Sequence, residues 1–281
     1  MPAAYLPDQR FLRVSGQDAK HFLQNLITTD IEAMPAGDVH PGALLTPQGK
    51  ILFDFLIFRD GDDFLIETSN LQIDALLRRL TLYKLRAAVV ITATEDQGVT
   101  VHWGEPSHIQ GLIDIRFAKA GITLGRHPGK ADIGVSEGDY DALRIGAGIA
   151  ISGRDYDLED VFPHDVLLDV NGGLSFKKGC YVGQEVVSRM QHRGTARRRL
   201  VHIHADQDLP HKGTAITAGG KPVGAIGSVR EGSGLAIVRI DRVSDALNTQ
   251  TPILAGEIPI TVNLPQWSGL SFPARDGEST K

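Results

Sequence analysis

A single cysteine, Cys180, lies in the stretch Lys177-Lys178-Gly179-Cys180-Tyr181-Val182-Gly183-Gln184-Glu185. Two lysines beside a thiol make an electropositive setting that favours the thiolate, the form that attacks electrophiles and binds metals. Residue types alone leave two alternatives open: a reactive thiol, or a small buried apolar residue of the kind most free cysteines are. One cysteine cannot form an intramolecular disulfide, nor supply by itself the ligands of a zinc or iron-sulfur site. Chemistry at this thiol therefore involves a partner, a ligand or a small oxidant. Lys177 or Lys178, with the local backbone, is the candidate to stabilise the thiolate, and Glu185 to orient the lysine or cap a helix beginning near Gly183.

A second candidate is Asp54, the one charged residue in the apolar run Ile51 to Phe58. A carboxylate inside such a run costs free energy unless it is paired, hydrogen-bonded or at a cavity. The plainer alternative is an edge strand with Asp54 facing water.

The elements that position these groups read as two textures. Ser15, Ala19, Phe22, Leu23 and Leu26 have helical spacing, with Ser15 and Asp18 as a weak capping box. The polar tail Asn25 to Asp30 ends that helix or faces a ligand. Thr46 to Lys50 is a turn, Ile51 to Phe58 a buried strand, and Asp60-Gly61 a hairpin loop before Phe64-Leu65-Ile66. Ile73, Leu76, Leu77 and Leu80 mark a helix, and β-like runs follow at 87–93, 98–103 and 112–117. Asp139 to Ile145 is helical, and Arg144 in its last turn is a cation placed well for the helix dipole. Alternating helix and hairpin favour an α+β fold with an antiparallel sheet. From Leu200 the chain turns to short β-like runs separated by glycine and proline, which indicates a small barrel or sandwich. The predicted division is 1–195 and 196–281.

Composition narrows the function. A net charge of -5 argues against nonspecific nucleic-acid binding. The basic run from Arg189 to Arg199 reads as a solvated linker or a surface for an acidic partner, and His202 and His204 as surface residues. Gly49-Lys50 lacks the glycine and hydroxyl of a phosphate loop, and Gly146-Ala147-Gly148 lacks the third glycine of the dinucleotide fingerprint. No stretch approaches the ~20 apolar residues of a membrane span, and the N-terminus has no signal-peptide run, so the expected location is cytoplasmic.

Lys178 to Glu185, introduced by Gly173-Leu174-Ser175-Phe176, resembles the signature of the folate-binding YgfZ/Iba57 branch of the glycine-cleavage T-protein (aminomethyltransferase-like) family. Phe22 to Asn25 with Thr29-Asp30, Gly49-Lys50, and Tyr83 to Arg86 support the resemblance. It implies interwoven N-terminal α+β folate-binding subdomains around a channel, followed by a C-terminal β-barrel. It also implies tetrahydrofolate or a derivative as cofactor, with Asp165, Asp54, Tyr83 and Arg144 as contacts. Asp165 falls, in Pro163-His164-Asp165, where T-proteins carry the glutamate that binds the pterin. Phe53-Asp54 falls where they carry two aspartates, so one acid is missing. The function implied is an accessory role in iron-sulfur cluster assembly, transfer or repair, without classical turnover, in which Cys180 shares a transient cluster with an assembly or client protein. The alternatives are a folate-dependent aminomethyl or one-carbon transferase and a non-catalytic interaction module.

Overall fold

The computed structural model describes residues 1–109 and 111–273; residues 274–281, the end of the expected second domain, lie outside the described residues. The chain opens with β1 (Ala3–Ser15), α1 (Ala19–Gln24), β2 (Asp38–Leu45), β3 (Ile51–Asp60), β4 (Asp63–Ser69), α2 (Ile73–Lys84) and β5 (Val90–Trp103). After β6 (Leu112–Asp114), α3 (Ile115–Lys119) and β7 (Leu124–Pro128), the strands close into a barrel in the order β1-β4-β3-β2-β6-β7-β5. Among the described strands of this barrel, β2 and β6 pair in parallel and the other ladders are antiparallel. Ile73, Leu76 and Leu80 bury one stripe of α2 among Leu12, Val14, Phe64 and Ile66 of the barrel. The 3,4 spacing of those apolar residues creates that stripe.

Two local expectations shift. Ser15 does not cap a helix: it ends β1, paired with Val90 of β5. Strand pairing has overridden the local capping signal, and Asp18, just ahead of α1, instead accepts the Ala88 amide at 2.8 Å. The run 98–103 and the 90–93 part of the run 87–93 belong to one strand, β5, which is paired with β1 through two register shifts, while residues 87–89 precede it. The Asn25 amide donates to the His21 carbonyl at 2.9 Å, and the polar stretch does terminate α1.

The second half begins with α4 (Glu137–Ala147), closed at its start by a reciprocal capping box between Ser136 and Asp139. A 3-10 turn over Pro163–Val166, α5 (Leu168–Asn171) and α6 (Gln184–Arg193) lead to β8 (Arg198–His204). Then come β9 (Ala215–Ala218), β10 (Lys221–Arg230), β11 (Ser233–Arg239), α7 (Ile240–Asn248), β12 (Ile253–Ala255), β13 (Ile258–Pro259) and β14 (Thr261–Asn263). These strands form one antiparallel sheet, β13-β12-β9-β10-β11-β8-β14. Much of the basic run is folded rather than a linker: Arg198 pairs with Asp160 at 3.1 Å and Arg199 with Asp169 at 2.8 Å. His202 is half-buried beneath Gly148, not on the surface, while His204 is exposed. Among the described residues no helix is long and apolar enough to cross a membrane.

Candidate functional site

A cavity of about 350 Å³ opens where the barrel meets α4 and the segment after it. Asp54 lies in its wall and does not face bulk water from a sheet edge. Its Oδ1 accepts from Gln72 Nε2 at 2.9 Å and Ser152 Oγ at 2.6 Å, and its Oδ2 from the Tyr156 hydroxyl at 2.7 Å. These bonds answer the cost of placing a carboxylate in an apolar strand. Burial, then the Asp54 charge, pushes the Tyr156 phenol well above its ordinary value, so Tyr156 stays a donor. A carboxylate has about four acceptor positions, and three are filled. Gln72 Oε1, also in the lining, is buried with no hydrogen-bond partner among the described residues.

Beneath these groups Arg126 joins Glu67, through Nε to Oε2 at 3.0 Å and a second bond to Oε1, and reaches Asp114 at 3.4 Å. Arg116 pairs with Asp114 through two further bonds, at 3.0 and 2.7 Å. Burial alone would raise the Asp114 carboxyl, but the Arg116 and Arg126 charges hold it below its ordinary value. The two cations and two carboxylates are thus balanced inside the barrel. Lone buried charges would be far costlier.

Cys180 stands apart from the cavity, exposed on the loop between α5 and α6. The alternative of a buried apolar cysteine is therefore overturned. Lys178 is buried, and its Nζ donates to the Ile27 and Thr29 carbonyls at 2.6 and 2.7 Å. It clamps the loop to the barrel; its ammonium is committed to those carbonyls instead of the thiol. The Thr28 hydroxyl donates to the Gly173 carbonyl at 2.6 Å, and the Ser175 amide to the Thr28 carbonyl at 3.0 Å. Glu185 is exposed in the first turn of α6 and pairs with Arg189 one turn on, so it neither orients Lys178 nor caps the helix through its side chain. Gly183 precedes α6 at φ +79°, where a Cβ would come 2.6 Å from the Thr46 carbonyl. That close approach, with the Thr46–Lys50 turn, explains this glycine of the motif.

Residues 27–29 link the two places. Thr29 Oγ1 donates to the Pro41 carbonyl at 2.8 Å, and Pro41 and Gly42 of β2 line the cavity. Asn171, also in the lining, accepts the Gly173 amide at 3.1 Å.

The other expected folate contacts are elsewhere. Asp165 is buried in the 3-10 turn, its Oδ2 accepting the Phe162 amide at 3.1 Å with Arg198 Nε 3.7 Å away. Burial pushes its carboxyl up to about 6 against the Arg198 charge. Arg144 is 1% exposed and spans the two halves of the molecule, bonding Asp141, the Ile149 carbonyl, Asp155 and Ser228. Tyr83 lines a separate groove beside Leu85 and Val182. Of the expected set, the structure brings only Asp54 to the cavity. Its partners Gln72, Ser152 and Tyr156 carried no motif; only the unexplained charge of Asp54 signalled that donors had to exist nearby.

The fold and the paired domains define the class of protein. Residues 9–104 match the GCVT N-terminal domain and residues 197–270 the C-terminal β-barrel domain of CAF17. The chain thus joins a GCVT-type N-terminal domain to a CAF17-type C-terminal β-barrel. The structure superposes on the aminomethyltransferase T of the glycine cleavage system from Bartonella henselae with a TM-score of 0.73 at 15% identity, covering 95% of this chain and 86% of that one. That likeness is one of fold.

Among curated proteins, the chain is 31% identical over 244 residues to the mitochondrial iron-sulfur cluster assembly factor IBA57 homolog of Pyricularia oryzae. The match takes in 77% of this chain and 62% of the fungal protein, so the chain spans less than two thirds of that relative. It is 27% identical to human mitochondrial IBA57, over 93% of this chain and 84% of the human protein. The mouse protein matches at 26% over the same shares. All three relatives are named as mitochondrial, which overturns the cytoplasmic location expected from the sequence. The N-terminal reading behind that expectation rested only on a missing apolar run.

Proposed function

We propose that this chain is a tetrahydrofolate-binding accessory protein for the assembly, transfer or repair of iron-sulfur clusters, with Cys180 as the thiol it offers to a partner. The observation that carries the reading is the exposure of Cys180 on a loop whose neighbours are fixed from below by Lys178. One thiolate can ligate iron only jointly, because a cluster takes several cysteine ligands. The partner, an assembly or client protein, supplies the rest, and the cluster is cargo. The names of the relatives agree with this role.

The cavity supports the folate half of the reading. Gln72 Oε1 and the remaining acceptor position on Asp54 are matched to a ligand edge rich in N–H donors, as a pterin is. Gln72 and Asp54 would hold such an edge, and the bound group would supply a one-carbon carrier. Cys180→Ser keeps size and exposure while removing the soft ligand. Cells carrying it should lose iron-sulfur client activity, with the purified variant still folded and still binding tetrahydrofolate. Client activity equal to wild type would refute the role of the thiol.

A second reading, one-carbon transfer, rests on the same free acceptor position of Asp54, which could take a proton from a folate nitrogen. It requires product from an aminomethyl or formyl donor when the purified protein is saturated with tetrahydrofolate.

A further inference from the structure

A groove of about 480 Å³ lies between α1 and the turn that follows α2. Phe22 and Leu26 of α1, Lys84, Leu85 and Arg86 of the turn, and Val182 line it. Val182 is half-buried and packs with Phe22 against the core of the barrel. It belongs to the cysteine motif, two residues and at most ~7 Å of chain from Cys180. The groove therefore shares a wall with the thiol loop.

The turn departs from its local rules. The Ala87 amide donates to the Lys84 carbonyl at 2.8 Å, and Leu85 stands at φ +47°, ψ -108°. That is the first central position of a type II′ turn, where glycine dominates, and a bulky side chain there is strained. Leu85 is also 88% exposed, so the fold recovers nothing by burying it. Strain without packing in return marks a position that works by contact with another molecule.

Charge specifies what that molecule carries. Lys84 and Arg86 form no ion pair and no side-chain hydrogen bond among the described residues, and neither does Lys177, exposed beside the thiol. The carboxylate in the lining, Asp18, is half-buried and accepts the Ala88 amide at 2.8 Å. Unpaired cations gather here although the whole chain carries a net charge of -5. We propose that this groove docks a partner protein at Cys180, through a segment whose apolar side chain seats against Leu85 between carboxylates that meet Lys84 and Arg86. This rests on the reading of Cys180 as a jointly completed ligand. The apolar contact holds the partner and the charges orient it.

Iron-sulfur client activity in cells that depend on this chain, measured beside the purified variants, tests it. Leu85→Asp and Lys84→Glu/Arg86→Glu should each lower client activity about fivefold or more. Fold, tetrahydrofolate affinity and the reactivity of Cys180 with a neutral thiol reagent should stay unchanged, and Lys84→Arg/Arg86→Lys should keep wild-type activity. Leu85→Gly removes the strain and the side chain together, so it should keep or raise Tm yet lose activity; it replaces Leu85→Asp if that variant does not fold. Wild-type activity in the groove variants, with Cys180→Ser inactive, overturns the groove and leaves the thiol reading standing. Cys180→Ser as active as wild type overturns both. A dimer of the purified chain that Leu85→Asp dissolves gives the groove to a second copy of this chain and overturns the proposal.

Discussion

Replacing Lys178 with methionine separates the work of a buried cation from that of a nearby one. Burial lowers the Lys178 ammonium from 10.5 to about 8, opposed by the charges of Asp30 and Glu32. A base whose folded value is depressed binds fewer protons folded than unfolded between those two pH values. Stability must therefore rise as pH climbs from about 8 towards 10.5, by up to ~1.4 kcal/mol per pH unit and roughly 3 kcal/mol in all. At pH 7 methionine removes that cost of about 3 kcal/mol but strands the Ile27 and Thr29 carbonyls, at ~1–3 kcal/mol each. The two effects oppose each other, so Lys178→Met should change stability at pH 7 by no more than ~3 kcal/mol. The pH dependence is what disappears. Urea melts of wild type and variant at half-unit steps from pH 8 to 10 measure it, and subtracting the two series cancels the other titrating groups. Wild type should gain on the variant across the window, and Cys180 in the variant should react faster with a neutral thiol reagent as its loop loosens. Parallel stability curves would refute the buried clamp.

Asp165 gives the opposite sign. Its carboxyl rises from 3.8 to about 6, so the folded protein binds the extra proton between those values and stability falls as pH rises through them, by roughly 3 kcal/mol at most. Asp165→Asn keeps the acceptor for the Phe162 amide and should lose that fall, matching or exceeding wild type at pH 7; thermal melts from pH 4 to 7 that run parallel would count against it. Gln72→Leu removes the orphaned acceptor while Ser152 and Tyr156 still hold Asp54. Tetrahydrofolate should then bind about 2- to 10-fold more weakly at unchanged Tm, and unaltered affinity would put the ligand elsewhere.

Elements with their own periodicity were legible in the sequence: α2 through Ile73, Leu76 and Leu80, β3 through its apolar run, and α4 close to its bounds. What local pattern could not supply was strand partnership. β1 was not identified as a strand at all, because its partners β4 and β5 begin some 50 and 75 residues later. The helix α7 was hidden in a stretch whose neighbours all read as strand. At the site the same division holds. Asp54 was visible because a charge in an apolar strand demands compensation. Gln72 opens an ordinary helix, and Tyr156 sits in a stretch without periodicity, so only the tertiary fold shows that both answer Asp54. Asp165 and Arg144, taken from the resemblance, lie outside the cavity lining because one is bound within its own turn and the other is spent joining the two halves.

The motif around Cys180 also changes meaning once folded. Side by side in sequence, Lys178 and Cys180 suggest a cation activating a thiol. In the structure the ammonium turns inward to two carbonyls and the thiol outward to solvent, so the motif fixes where the sulfur stands more than how it reacts. Gly183 serves the same end, since any side chain there would push α6 off the Thr46–Lys50 turn. A thiol held in place at the surface suits the proposed role, a ligand whose site is completed by another molecule. The carbonyls that hold Lys178 flank Thr28, and Thr29 ties that segment to β2 at the cavity wall. A ligand that stiffens β2 therefore bears on the clamp. Protection of the 173–182 amides from hydrogen exchange should rise when tetrahydrofolate binds and stay unchanged in Lys178→Met; equal protection with and without the ligand in wild type would separate the cavity from the thiol.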